Sequence, residues 1–161
     1  MKVLFFTILL SFILPSSNLE EIRLSFQKAS KDKQNAVHFN ELVKKDLVID
    51  NTLKSAYLGA SEASLAKYES SPAAKLRLFK SGVANIEKAV TAKPSNVEIR
   101  LIRLIIQRNS PPKLKYTGAI DEDKAFILDA FPTAPTDVKS FVKQIAKDTD
   151  IFNQEELTKI K

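Results

Sequence analysis

A single histidine, an acidic triplet and a strip of cationic and amide side chains are the residues through which this chain would do chemistry. His38 stands alone, and the chain has no cysteine. A zinc or copper site would then draw most of its ligands from carboxylates, which is unusual for those metals. His38, beside Phe39, therefore reads as structural, and no metal or other cofactor is expected. The run Asp121-Glu122-Asp123 lacks the alternating oxygen ligands and the turn glycine of a calcium loop. Its charges suit the start of a helix, where free backbone N–H groups favour anions. A Gly-x-Ser-x-Gly elbow and a glycine-rich phosphate loop are both missing from the sequence.

Two groups of residues remain. At about 100° per residue, Glu98 falls in the middle of the apolar arc made by Val97, Ile99, Leu101, Ile102, Leu104, Ile105 and Ile106. As the last residue of Ser95-Asn96-Val97-Glu98 it can close a capping box. Alternatively it is a buried carboxylate that must find a partner, because an unpaired one is costly; Tyr57, Lys75 or a similar group from the preceding hairpin would serve. Arg100, Arg103 and Gln107 occupy the narrow polar strip of the same helix, and the strip continues toward Lys113, Lys115 and Tyr116. Two arginines at i, i+3 can hold a carboxylate bidentately, and a tyrosine adds an amphipathic contact. This strip is the candidate binding surface; its alternative is a solvated or salt-bridged helix face.

The elements that must position these residues are helical. Glycine is rare and apolar residues recur at three- and four-residue spacing. The spacing predicts helices over about 18–29, 37–47, 52–69, 72–92, 96–108, 121–131 and 137–147, with a short frayed helix in the tail. The stretch 30–35 is polar and reads as a loop. Asp50 or Asn51, Ser71 before Pro72, and Thr136 are the expected caps. Ala56, Ala60, Ala63 and Ala66 form a stripe of small side chains that lets another helix approach. Helices 52–69 and 72–92 should pack antiparallel, with helix 96–108 central, since its apolar residues cover most of its circumference. The fold class is thus all-α: a bundle of antiparallel hairpins, five to seven helices in all.

The N-terminus differs from the rest. Lys2 precedes the apolar run VLFFTILLSFIL, and Pro15-Ser16-Ser17 follows. A charged start, an apolar stretch of about a dozen residues and a small-residue exit make a secretory signal peptide over 1–17. The run is short for a membrane anchor, which needs about 20 apolar residues; retention as an uncleaved anchor is the alternative. Residues 18–161 then form one domain, located in the periplasm or outside the cell, with no membrane association after cleavage. Lys plus Arg number 25 against 19 for Asp plus Glu. The charge is spread widely, without the basic clusters and interleaved aromatics of a nucleic-acid binder.

Tyr57-Leu58-Gly59-Ala60 resembles part of the first helix of a tetratricopeptide repeat, and Ala89-Val90-x-x-Lys93-Pro94-x-Asn96 resembles the end of its second. The separation exceeds the repeat's roughly 34-residue period, the usual tryptophan is absent, and no second copy is visible. AYLGA, KLRLFKSGVANIEKAV and PSNVEIRLIRLIIQ before a proline loop together resemble exported helical proteins of the Bacteroidetes type, a resemblance that implies compartment and fold and carries no activity. The expected function is that of a non-enzymatic interaction module for a protein or peptide partner, by analogy with the concave surfaces of helical-hairpin arrays. The alternative is a small-ligand binder or enzyme with a pocket near Glu98, Arg103 and Tyr116.

Overall fold

The computed structural model describes residues 18–46 and 48–160; the signal-peptide expectation for 1–17 lies outside them. The described chain is helical, with no strand: α1 (Asn18–Lys28), α2 (Lys33–Lys45), α3 (Asn51–Ala66), α4 (Pro72–Ala92), α5 (Val97–Arg108), α6 (Ile120–Ala130), α7 (Thr136–Asp148) and α8 (Gln154–Leu157). Single 3₁₀ turns at Pro112–Leu114, Phe131–Thr133 and Thr158–Ile160 punctuate the second half. The number of α-helices exceeds the expected five to seven because the single turn α8 is closed by a capping box between Asn153 and Glu156. No described helix is long and apolar enough to cross a membrane.

Capping chemistry explains where these elements begin. Asp50 accepts from the backbone N–H groups of Thr52 and Leu53, and Ser71 accepts from that of Ala74 ahead of Pro72. Three expectations are corrected. The segment 30–35 is not all loop: Asp32 accepts from the Asn35 N–H at 2.8 Å and starts α2 at Lys33. Its first turn escapes a periodicity test because it is polar and exposed. Thr136 is the first residue of α7 and not its cap, a position held by Pro135. Asn96, not Ser95, caps α5, accepting from the Ile99 N–H at 3.0 Å.

The hairpin α3–α4 is the frame on which the rest assembles. Helices α1 and α2 pack on α3, α5 packs on both α3 and α4, and α6 and α7 pack on α5. The rings of Phe26, Phe39 and Tyr57 join α1, α2 and α3, the tyrosine edge-on to both phenylalanines. His38, next to the fully buried Phe39, is exposed on α2. Helix α5 is surrounded: Ile99, Leu101, Ile102 and Leu104 are inaccessible to solvent. The small-residue stripe on α3 works as expected, and its tightest point is a glycine pair. A Cβ placed on Gly59 would fall on the carbonyl oxygen of Gly82 and within 3.0 Å of the Ile86 nitrogen.

In an exposed helix interior, alanine is about 1 kcal/mol better than glycine. Here the added methyl meets backbone, and overpacking typically costs about 1–3 kcal/mol. Gly59→Ala should therefore lower stability in urea unfolding. Gly118→Ala, with open space around its Cβ, should stay within about 0.5 kcal/mol of the parent.

Candidate functional site

Glu98 is buried, and the capping-box reading gives way to the buried-network one. Helix α5 aims its side chain inward, where it accepts from Tyr57 Oη at 2.5 Å, Arg23 Nε at 2.8 Å and Arg23 Nη2 at 2.6 Å. Arg23 Nη2 also reaches Asp137 at 3.0 Å, and its guanidinium lies over the Phe141 ring. The Glu98–Arg23 pair thus ties α1, α3, α5 and α7 together, α7 through Asp137. Lys75, the other partner considered, is exposed on α4. The missed partner is Arg23, and a signal for it existed: it lies four residues after Leu19 and three before Phe26, on the apolar face of α1.

Burial disfavours the charge of Arg23, but hydrogen bonding to Glu98 and its negative charge outweigh that, so the guanidinium pKa lies above its ordinary value. Asp137 sits below the usual carboxylate range because Arg23 outweighs its partial desolvation. Burial first, then the charge of Glu98, push the Tyr57 phenol well above 10.0.

A second network takes up most of the strip expected to be a binding surface. Arg103 holds Asp123 bidentately, Nε to Oδ2 and Nη2 to Oδ1, both at 2.7 Å. Its remaining nitrogen donates to Glu87 at 3.0 Å, and Tyr116 Oη donates to the other Glu87 oxygen at 2.6 Å. Arg100 contacts Glu122, Asp123 and the Pro94 carbonyl while lying over the Phe126 ring. Arg103, Gln107 and Asp123 are buried. The bidentate grip on a carboxylate that the spacing promised is therefore satisfied from within, by α6. Correspondingly, Asp123 does more than favour a helix N-terminus: it is a fully buried partner of two arginines. Burial and the Glu87 hydrogen bond raise the Tyr116 phenol pKa, and Asp123 raises that of Arg103 against desolvation. Gln107 Oε1 is the buried side-chain acceptor with no partner among the described residues. Of the strip, Lys113 and Lys115 stay exposed, the latter in the left-handed region at φ 51°.

The open concave feature lies elsewhere. A cleft of about 1330 Å³ forms where α1, α3, α5 and α7 end and α4 begins, closed on one side by the Pro111 loop. Leu24, Phe26, Leu76, Phe79, Ile105 and Ile106 line it, and Lys28, Lys31, Lys67, Lys75 and Lys113 stand around it with Asp148. Leu24 and Leu76 are 42% and 40% exposed, although leucine usually faces inward. A second cavity, of about 870 Å³, lies between α6 and the C-terminal turn with a mixed-charge lining that includes the Lys124–Glu156 pair. Glu98, Arg103 and Tyr116 line neither. No group of three or more His, Asp or Glu side chains among the described residues is arranged to hold a metal.

Comparison of the chain with protein-family models, with curated proteins and with solved structures finds no match. The site is therefore read from its own geometry.

Removing one member of a buried pair leaves an uncompensated charge, at about 3–5 kcal/mol, against about 1 kcal/mol for a lost helix cap. Glu98→Ala should fall in the larger range by chemical denaturation. The double variant Arg23→Met/Glu98→Met should cost much less than the sum of its singles; an additive result would contradict the coupling.

Tyr57 and Tyr116 set the alkaline limit. A group whose folded pKa is raised stabilises the fold while the unfolded chain is still protonated, and this contribution fades once pH passes the unfolded value. Stability should decline above about pH 10. Phenolate absorbance from these two residues should rise together with the loss of helical circular dichroism, not ahead of it.

Proposed function

We propose that this chain is an exported, non-catalytic helical interaction module that binds a segment of a protein partner in the cleft at the shared end of α1, α3, α5 and α7. The observation that carries this reading is the cleft itself: open, lined by apolar side chains, and large. Small-molecule pockets commonly measure about 300–1,000 Å³, and this one exceeds that range. The two leucines exposed at its walls cover an apolar area that a partner would remove from water, at roughly 25 cal/mol per Å².

The polar residues add support from the other side. The buried arginines and carboxylates hold one another across helix contacts. They do not line the cleft. The α3–α4 hairpin, crossing at Gly59 and Gly82 with α5 stacked against it, supports a divergent tetratricopeptide-like arrangement. Lys2 and the apolar run after it support export.

Affinity capture from an envelope extract tests this reading. Protein recovered there should begin near Asn18 by N-terminal sequencing. A specific co-purifying protein should be lost with Leu24→Glu/Leu76→Glu and retained with Val48→Glu, whose side chain is 79% exposed and outside the cleft lining. Identical recovery with the cleft variant would refute the assignment. A bound small molecule in place of a protein would favour the ligand-binding alternative.

A further inference from the structure

We infer that the cleft takes an amphipathic helix from a protein partner, with its apolar face on the cleft floor and acidic residues on its polar face. The inference rests on the docking role proposed above and adds the chemistry of the occupant.

The excess of lysine over carboxylate around the cleft is the starting observation. Arg23, Arg100 and Arg103, together with Lys93 and Lys124, each meet a carboxylate within 3.0 Å. Lys28, Lys31, Lys75 and Lys113, all at the cleft, form no ion pair among the described residues. Lys67 donates to the Ser30 carbonyl at 3.1 Å and lies over the Tyr68 ring, and no carboxylate pairs with it among the described residues. Five ammonium groups face the single carboxylate of Asp148.

Helix ends work against this excess. Four C-termini meet at the cleft, each with about half a negative charge that fades within one turn, and the N-terminus of α4 offsets one of them. Together they return less than about two charges, so the rim remains positive. Clustered cations beside an apolar floor attract a partner with the opposite pattern.

Shape selects a helix. Every wall of the cleft is a helix end or the Pro111 loop, so among the described residues there is no strand edge for an extended peptide to join. A helix laid in a groove needs apolar anchors at i, i+3, i+4 and i+7. Leu24 and Leu76, on separate helices, offer apolar contact from two walls, with Phe79 and Ile106 below.

The test is fluorescence anisotropy of the purified protein with two labelled synthetic helices. Both carry leucine at the same anchor positions; one has glutamate on its polar face, the other lysine. The glutamate helix should bind about tenfold more tightly or better at low salt, and lose that advantage in Lys28→Glu/Lys113→Glu, as several rim pairs of modest strength imply. Leu24→Glu/Leu76→Glu should abolish binding, with circular dichroism unchanged. Equal affinity for the two helices, abolished by the leucine changes, would overturn the acidic partner and leave the docking role standing. Failure of both helices would overturn both ideas if cross-links ran from the cleft to residues 3–14 or to a second copy of the chain. Failure of both with tight binding of dodecanoate, or of vesicles with anionic headgroups, would likewise overturn them and make the occupant a lipid.

Discussion

A helix enclosed by neighbours has no solvent to meet its polar side chains, and α5 is enclosed while carrying Glu98, Arg103 and Gln107 at buried positions. Each such group must find a partner in another element or incur a desolvation cost of several kcal/mol. The arrangement of the other helices follows from this requirement. Glu98 draws α1 and α3 together through Arg23 and Tyr57, and α7 joins through Asp137. Arg103 draws α6 inward through Asp123 and fixes α4 through Glu87. Apolar burial supplies most of the driving force for the bundle, but it is non-directional. The two ion networks are directional, and each brings named residues of neighbouring helices together.

This division of labour bears on function. Groups that look reactive in a list of residues are occupied once the chain folds, Arg103 and Asp123 above all. Lys28, Lys31, Lys75 and Lys113 at the cleft form no ion pair among the described residues, and that is the charge the proposed partner would meet. The Arg23–Glu98 lock near the middle of the bundle acts on the cleft indirectly, by holding α1 and α5 in place while their C-terminal ends form its sides.

The sequence already carried a good deal of this. Three-and-four spacing located the long helices, Ser71-Pro72 marked the start of α4, and the apolar circumference of α5 marked it as central. Glu98 was visible as an acid within an apolar arc, and Tyr57 was named as a partner. Arg23 was overlooked although it sits on the apolar face of α1, because an arginine there is equally consistent with a side chain that extends to solvent along its stem. For the strip Arg100, Arg103, Gln107 the salt-bridged alternative to a binding surface is the one that holds, and helical angle alone does not choose between the two. That angle gives direction relative to the helix and cannot say that α6 covers the strip.

What the sequence determined by itself is what depends on neighbours a few residues away: which segments are helical, which face of each is apolar, and the caps Asp50 and Ser71. These follow from backbone geometry and local hydrogen bonding, which are encoded within a turn or two. Tertiary structure alone decided which buried charges meet, since Arg23 and Glu98 lie 75 residues apart and Arg103 and Asp123 lie 20 apart. It also decided where a cleft opens. Both depend on how helix ends converge in space, and pairings over such distances are set by the packing of the whole chain.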